Sequence, residues 1–254
     1  MVGIRMERDG GWMRLILDQP KGNILSIAMM REVRASLASV CNSPRVRLVT
    51  MEGAGGHFSY GASVEEHRAV AIRQALSELH GLVRDQLACP APTAAIVRGR
   101  CLGGGFEVAL ACDFIFAATD AVLGVPEITL GVFPPAAAAL LPARIGATRA
   151  AAAILTGRST SVTEWSSAGL VELVAPSDEL EATVGHWFVK NLAPRSAAAL
   201  RCAARASRLA IVQHVEATLP ELEQLYLDTL MGTRDANEGI EAFLEKREPQ
   251  WSHA

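Results

Sequence analysis

The sequence predicts an α/β protein, and three observations carry this prediction. An apolar run of β type at residues 93–97 leads into the glycine triplet Gly103-Gly104-Gly105 and an alanine-rich segment, and a second β-type run follows at residues 114–117. Other β-type and helical patterns alternate on both sides of this stretch. From about residue 178 onward the patterns are helical throughout. We therefore expect strands and helices in the first part of the chain and helices alone at its end.

The elements before the glycine triplet are predicted from hydrophobic periodicity and from turn residues. Asp9-Gly10-Gly11 separates two β-type runs and indicates a hairpin, and Ser26 is placed to cap the first helix. The predicted elements, in order, are strands at residues 3–8 and 12–17, a turn at 19–23, a helix from 26 to about 41, a strand at 46–51 and an amphipathic helix at 69–88.

The elements after the triplet follow from the same signals. Pro135 pre-sets the backbone for a helix start, and Gly157 is a glycine of the kind that ends a helix. The predicted elements, in order, are helices from 135, at 147–157 and at 162–169, a short strand at 171–174, and helices at about 178–192, 195–209, 216–230 and 233–248.

The size and composition of the chain fit one domain with a large core. The chain has 254 residues, half of them hydrophobic, and a mean hydropathy of +0.22. No uninterrupted run of about 18 apolar residues occurs, so we expect no transmembrane helix and no membrane partner. Charged residues near the start of the chain argue against a signal peptide. Much of the apolar fraction is alanine, and we expect part of it to be buried between subunits.

Charge and cysteine content exclude several classes of protein. The net charge is −3, with acidic and basic residues mixed and no basic arm, so nucleic-acid binding is not expected. The five cysteines form no CxxC pair, which gives no signal for a metal site or a disulfide framework. Their apolar neighbours predict reduced, buried thiols and a cytoplasmic protein. These cysteines are Cys41, Cys89, Cys101, Cys112 and Cys202.

The glycine triplet lies between a predicted strand and the start of a predicted helix. The first N–H groups of a helix have no internal partner and form a positive end, which stabilises negative charge on a bound oxygen. A dinucleotide fingerprint would need a glycine where the chain has Val108, and a phosphate-binding loop would need a lysine where it has Phe106. The alternative interpretation is that the glycines only let the helix pack closely on the sheet.

Two glutamates stand near this turn. Glu107 lies among apolar residues about one turn into the helix, so its carboxyl is expected to be buried, with a pKa raised toward the range useful for proton transfer. Glu127 follows Pro126 and precedes another apolar run. Considered alone, Glu127 is interpreted as an exposed loop carboxylate or a residue at a helix entry.

Several short segments lie around the two glutamates. They are Gly103-Gly104-Gly105-Phe106-Glu107, Ala111-Cys112-Asp113, Pro126-Glu127-Ile128, Leu130-Gly131 and, upstream, His57-Phe58-Ser59-Tyr60-Gly61-Ala62. Together these segments resemble the crotonase (enoyl-CoA hydratase/isomerase) superfamily, and the resemblance covers nearly the whole chain, down to residues 238–247. It implies a crotonase-like spiral core of ββα units at residues 1–190, carrying a CoA-ester site, and a helical trimerisation region at residues 191–254.

The resemblance also implies roles for individual residues. The backbone N–H groups of Ala62 and Gly104 would form an oxyanion hole for a thioester carbonyl, and Glu107 and Glu127 would act as acid and base on one water molecule. Which glutamate starts deprotonated stays open, because such a pair titrates as a unit. No metal or redox cofactor is implied, since coenzyme A is part of the substrate. The substrate-binding positions implied are Gly61, Ser63, Gly103, Gly105, Phe133, Phe243 and Lys246.

Phe243 and Lys246 match the positions that contact the adenosine end of coenzyme A, sometimes in a neighbouring subunit. Considered alone, Lys246 is an exposed helix charge. Many family members have aspartate where this chain has Ser63, which puts close identity with the straight-chain hydratases in doubt. His57 and His67 are interpreted as turn or surface residues rather than as bases.

The pattern at residues 58–67, together with Phe133-Pro134, is most similar to that of cyclohexa-1,5-diene-1-carbonyl-CoA hydratases, which act on a ring in anaerobic aromatic degradation. Pro135 and four alanines stand where straight-chain hydratases tend to have a glycine-rich helix start. Their methyl groups narrow the space beside the reacting carbons.

The function expected from the resemblance is that of a hydro-lyase. It would add water to the conjugated double bond of an enoyl- or cyclic dienoyl-CoA thioester and would work as a homotrimer or homohexamer. The enzymatic alternatives are a double-bond isomerase, which could use the same two carboxylates, and a ring hydrolase. A non-enzymatic trimeric scaffold or RNA-binding relative fits poorly, because both glutamates and both donor positions are present and no basic patch is found.

Overall fold

The computed structural model describes residues 1–68 and 71–254 and has the predicted α/β architecture. Within that part of the chain, the strands are β1 (Val2–Glu7), β2 (Trp12–Leu17), β3 (Leu48–Gly53), β4 (Thr93–Val97), β5 (Arg100–Leu102), β6 (Phe114–Ala118), β7 (Val122–Gly124), β8 (Ser159–Ser161) and β9 (Leu173–Ala175). The helices are α1 (Ile27–Ser39), α2 (Ile72–Ala88), α3 (Gly104–Leu110), α4 (Pro135–Ile145), α5 (Ala147–Thr156), α6 (Val162–Ser167), α7 (Leu180–Asn191), α8 (Ala197–Gln224) and α9 (Arg234–Glu245).

The strands form two sheets. In the larger sheet the order is β1-β2-β3-β4-β6-β9, and only the β1–β2 hairpin is antiparallel. Parallel neighbours need crossover connections, which the helices supply. The smaller sheet has the order β5-β7-β8, and its first strand follows β4 after two residues. The glycine triplet therefore begins where the chain leaves this small sheet and enters α3.

The strand β4 was predicted correctly from the apolar run at residues 93–97. All five residues of β4 are buried, because the strand lies between β3 and β6 in the interior of the larger sheet. Two predicted helix caps are also confirmed. The Ser26 hydroxyl accepts a hydrogen bond from the Met29 N–H, and Gly157 ends α5 in the left-handed conformation.

Several predicted boundaries were wrong. The strand predicted at 46–51 starts two residues later, because Trp12 pairs with Leu48 and the preceding Arg47 N–H donates to the Gly11 carbonyl. The three-residue strands β5 and β8 were missed, since each depends on pairing with β7 rather than on its own pattern. The predicted start of the helix at 69–88 lies outside the described residues, and α2 is described from Ile72.

The largest correction concerns the C-terminal helices. The helices predicted at 195–209 and 216–230 are one continuous helix, α8, which passes into a π-helical turn at Leu225–Thr229. Residues 210–215 contain no glycine or proline that would end a helix, so a break had no physical basis there. Pro220 lies inside α8 without ending it.

The prediction that the five thiols are buried was also wrong in part. Cys89, Cys101 and Cys112 are buried, whereas Cys41 and Cys202 are exposed. Apolar neighbours in sequence did not indicate burial for these two, because Cys41 follows the end of α1 and Cys202 lies on an exposed face of α8.

One buried ion pair fastens α8 to the larger sheet. The Arg208 guanidinium pairs with Asp113 and donates hydrogen bonds to the carbonyls of Leu87, Cys89 and Ala91 just before β4. A buried arginine is stable only when its donors are satisfied in this way. The C-terminal helices are thereby attached to the segment that leads into the candidate site.

Two apolar clusters organise the side chains. The main core lies along the larger sheet and its helices. A second, smaller cluster brings α2 and the C-terminal segment against the loop that follows Glu127. We call it the cleft cluster, and its buried members are Ile72, Leu76, Val132, Tyr226, Ala236 and Ile240. Over the described ranges, no helix is long and apolar enough to span a membrane.

Candidate active site

Ser59 joins the two segments that form the site. Its N–H donates to the Arg100 carbonyl and its own carbonyl accepts from the Leu102 N–H, so the 58–62 segment runs beside β5. Its hydroxyl donates to the Asn23 carbonyl and accepts from the Gly61 N–H, which fixes the turn that follows. A Cβ atom on Gly105 would lie 2.7 Å from the Ser59 Cβ, so the close approach of these segments requires glycine there.

Residues 62 and 104 meet at this junction. A Cβ atom built on Gly104 would lie 3.1 Å from the Ala62 nitrogen, and one on Gly61 would lie 3.5 Å from the Gly104 nitrogen. Gly104 is the first residue of α3, so its N–H has no partner within the helix. Among the hydrogen bonds within residues 1–68 and 71–254, neither the Ala62 N–H nor the Gly104 N–H donates to a protein acceptor. Two neighbouring free donors at a helix start can bind a carbonyl oxygen that gains negative charge.

Glu107 is buried, as the sequence predicted, with 2% of its surface exposed. Its Oε1 accepts a hydrogen bond of 2.8 Å from the Ala137 N–H in the first turn of α4. Burial raises the pKa of Glu107, and the Ala137 and Ala136 N–H groups act against that rise because they stabilise the charged form. Pro135 starts α4 and so aims these two donors at the carboxylate.

Glu127 lies in a 3₁₀ helix, Pro126–Leu130, rather than in an irregular loop. Its Oε2 is buried and has no hydrogen-bond partner among the described residues. Of the two interpretations of Glu127 alone, the exposed loop carboxylate is therefore wrong, and the residue at a helix entry agrees with the structure. The other oxygen lies over the glycine turn: a Cβ atom on Gly103 would come within 2.6 Å of Glu127 Oε1. Gly103 also has a φ of +50°, so both space and backbone conformation require glycine at this position.

The two carboxyl groups act on each other. Burial raises the pKa of Glu127 well above the usual glutamate value, and the negative charge of Glu107 raises it further. Glu107 has helix N–H groups to stabilise its charge, whereas Glu127 has a buried oxygen with no partner in the described part of the chain. The arrangement therefore favours one shared proton, held mainly by Glu127, with Glu107 ionised.

Of the other residues implied by the resemblance, some lie at this junction and some do not. Gly61, Gly103 and Gly105 lie in the two segments that meet, and Phe133 packs against the cleft cluster. The Ser63 hydroxyl is exposed and donates to Glu65. Phe243 and Lys246 lie at the exposed end of α9, where Lys246 has the left-handed conformation that ends the helix. Their role toward coenzyme A remains a prediction.

Three polar residues near the site had no signal in the sequence. Ser59 looks like an ordinary turn residue until its partners are known. His80 is fully buried on α2, and its Nδ1 is 2.9 Å from Glu223 Oε2. Tyr226 lies in the cleft cluster, on the π-helical turn after α8. Only tertiary structure brings them near the glutamates.

Comparison with known proteins agrees with this geometry. Residues 7–254 match the family model described as enoyl-CoA hydratase/isomerase. The chain belongs to the enoyl-CoA hydratase/isomerase family. It is 45% identical over 248 residues to a cyclohexa-1,5-dienecarbonyl-CoA hydratase from Thauera aromatica, covering 98% of this chain and 95% of that one.

Solved structures from the same family share the fold. A crystal structure of an enoyl-CoA hydratase from Mycobacterium avium subsp. paratuberculosis has a TM-score of 0.87 at 28% identity, covering 99% of this chain and 98% of that one. An enoyl-CoA hydratase from Bacillus anthracis has a TM-score of 0.79 at 32% identity and covers 100% and 99%. The predicted membership of this enoyl-CoA hydratase/isomerase family and the predicted crotonase-type fold are thus confirmed.

The buried carboxyl of Glu127 predicts a pH-dependent change in stability. The Glu127→Gln variant should have a higher free energy of unfolding at pH 8 than the unmodified enzyme, because it buries no ionisable group there. The pKa of Glu127 is higher in the folded state than in the unfolded state. At a pH between these two pKa values the folded state binds more protons, so the free energy of unfolding falls as pH rises through that range. Chemical denaturation at pH 5 and pH 8 measures the difference.

The gain from Glu127→Gln should be small near the ordinary glutamate pKa of about 4.3 and should grow toward high pH. The exposed Glu216 on α8, substituted in the same way, provides a control with little expected change. A gain that is larger at pH 5 than at pH 8 would contradict the assignment of a raised pKa to Glu127.

Proposed function

We propose that this family member is a hydro-lyase that adds water to cyclohexa-1,5-diene-1-carbonyl-CoA. The single observation that carries the proposal is the meeting of two backbone N–H groups, from Ala62 and Gly104, that have no acceptor among the described residues, near the buried Glu107 and the Glu127 carboxyl, one oxygen of which is buried. The similarity to the Thauera aromatica hydratase supports the choice of a cyclic dienoyl group. Pro135 and the alanines after it, which narrow the helix start, support the same choice.

The proposed mechanism begins at the thioester carbonyl. Its oxygen accepts hydrogen bonds from the Ala62 and Gly104 N–H groups, which stabilise the negative charge that develops when a nucleophile adds to the conjugated double bond. Each such donor contributes a factor of about 10²–10³ in rate. Because both donors belong to fixed backbone, they need no rearrangement when the charge forms.

The two glutamates complete the addition of water. Ionised Glu107 takes a proton from the water molecule while the water oxygen bonds to one carbon of the double bond. Protonated Glu127 gives its proton to the carbon that becomes electron-rich. One O–H bond and one C=C π bond are lost, and one C–O and one C–H bond form. Glu107 ends protonated and Glu127 ends ionised, so a proton must return to Glu127 before the next turnover.

A substrate panel tests this proposal. Purified enzyme should convert cyclohexa-1,5-diene-1-carbonyl-CoA to a product that contains one additional water molecule, with a higher kcat/KM than for crotonyl-CoA. Mass spectrometry of the product distinguishes the alternatives, because an isomerase leaves the mass unchanged and a ring hydrolase adds a second water molecule. If the enzyme hydrated crotonyl-CoA but not the cyclic dienoyl-CoA, the assignment as a hydro-lyase would stand and the cyclic substrate would be contradicted.

Assembly, compartment and cofactor use are part of the proposal. We propose a homotrimer or homohexamer, supported by a cavity of about 780 Å³ along α8 and by the exposed Leu209 on that helix. We propose the cytoplasm as its compartment, in keeping with its free cysteines, and coenzyme A as the carrier of the substrate with no further cofactor. A monodisperse monomer in light scattering at micromolar concentration would contradict the assembly.

A further inference from the structure

Among the buried residues of the cleft cluster, Tyr226 is the one whose side chain carries a polar atom. Only 1% of its surface is exposed, and within the described residues its hydroxyl has no hydrogen-bond partner. A buried hydroxyl without a partner costs free energy, about 1–3 kcal/mol by mutational data, so it is uncommon where a phenylalanine would pack equally well. The position therefore calls for an explanation beyond packing.

The surroundings of Tyr226 place it at the candidate active site. Its ring packs edge-to-face on Phe133 with a centroid separation of 5.4 Å. Phe133 lies in the short link between the 3₁₀ helix of Glu127 and α4, whose first turn binds Glu107. The Val132 side chain of the same link belongs to the cleft cluster, and the Val132 N–H donates to the Glu127 carbonyl.

The helix α2 makes a second connection between Tyr226 and the site. Leu76 shares the cleft cluster with Tyr226, and the side chain of Leu79 lies 3.6 Å from the position of a Cβ atom on Gly104. One helix thus contributes to the cleft cluster that contains Tyr226 and lies beside the first residue of α3. The carboxyl groups of Glu127 and Glu107 are near enough for their charge to act on the Tyr226 hydroxyl.

The backbone at Tyr226 is unusual as well. The residue lies in the π-helical turn Leu225–Thr229, which follows 28 residues of regular α-helix. Such turns are rare and occur often at functional sites, because one extra residue per turn changes the direction of a side chain. Burial, together with the negative charge carried by the neighbouring pair of carboxyl groups, raises the pKa of Tyr226, so its hydroxyl stays protonated and available as a donor.

We propose that Tyr226 is a third functional group of the site, and that its hydroxyl donates a hydrogen bond to the oxygen atom that hydration adds to the acyl group. This rests on the proposed hydro-lyase function and deepens it. In the forward direction the acceptor is the attacking water, and in the reverse direction it is the hydroxyl group that leaves. The Phe133 and Tyr226 rings then form a wall beside the acyl group, and the hydroxyl orients the oxygen between the two glutamates.

The Tyr226→Phe variant tests the proposal with minimal change of shape. It keeps the ring and its contact with Phe133, so kcat for hydration should fall by about tenfold to a hundredfold with less than a threefold change in KM. The melting temperature should stay equal or rise, because the lost hydroxyl has no partner among residues 1–68 and 71–254 of the free protein. Equal kcat in Tyr226→Phe and the unmodified enzyme would overturn the proposal and leave the hydro-lyase function standing.

A second measurement does not depend on turnover. The chain has two tyrosines, so protein labelled with 3-fluorotyrosine should give two ¹⁹F resonances, and the Tyr60→Phe variant assigns them. The Tyr226 resonance should shift when a hydroxylated cyclic acyl-CoA binds, and it should shift much less with the matching acyl-CoA that lacks the hydroxyl. Equal shifts with both ligands would overturn the role of Tyr226, even if no hydration of any substrate were found.

Discussion

Replacing Glu107 with glutamine should lower the rate of hydration by about 10²–10⁴, the range over which a positioned acid or base usually contributes. Glutamine can still accept the hydrogen bond from the Ala137 N–H through its carbonyl oxygen, so the side chain should keep its place. It cannot take a proton from water. Binding of a CoA ester should persist, because the N–H groups of Ala62 and Gly104 are unchanged. Steady-state kinetics and calorimetric titration measure the two effects.

The control for Glu107→Gln is the same change at an exposed carboxylate away from the site. Glu216 on α8 is half-exposed and pairs with Arg84, and Glu216→Gln should leave kcat within twofold of the unmodified value. If Glu107→Gln retained full hydration, Glu107 could not be the base, and the proposed division of roles between Glu107 and Glu127 would fail. If it instead lost binding and stability together, its effect would be structural.

The parts of the site that the sequence revealed are those that depend on local structure. A β-type run, a glycine triplet and a helix with one carboxyl lie next to one another in the chain, so a helix start that can stabilise negative charge and the burial of Glu107 follow from short-range rules. The same holds for the start of α4 at Pro135. In each of these cases the residue and its physical cause are within a few positions of each other. The resemblance was needed to identify Gly104 as the donor.

The other parts depend on long-range contacts that no local pattern encodes. Ala62 meets Gly104 because Ser59 pairs with both sides of the junction, and the resemblance to a known family was needed to predict that meeting. The residues around Glu127 predict either an exposed loop carboxylate or a helix entry, whereas its buried Oε2 and the closeness of its Oε1 to Gly103 depend on the fold. Tyr226 lies on a π-helical turn, which the sequence of residues 225–229 does not indicate.

The Gly104→Ala variant keeps the backbone N–H but should displace it, and kcat should fall by up to about 10²–10³, the cost of one oxyanion donor that no longer reaches the carbonyl oxygen. The added methyl carbon would lie 3.1 Å from the Ala62 nitrogen and 3.2 Å from the Ala62 Cβ, closer than an undisturbed contact allows. Either Ala62 moves by a few tenths of an ångström or the methyl group occupies the space of the carbonyl oxygen. Both outcomes misplace the thioester, because the two N–H groups must converge on one atom.

The comparison that isolates this effect is Gly232→Ala. Gly232 has ordinary backbone dihedral angles, and a Cβ atom there would have no heavy atom within 4 Å among its described neighbours, so the change tests only the loss of a glycine. It should leave kcat and the melting temperature nearly unchanged, whereas Gly104→Ala should lose kcat while circular dichroism shows the same secondary structure. Since α3 tolerates alanine as a helix former, a loss of activity without unfolding points to the placement of the two donors. Gly104→Ala with kcat within twofold of the unmodified enzyme would mean that the carbonyl oxygen binds elsewhere, and the role given to Ala62 would fail with it.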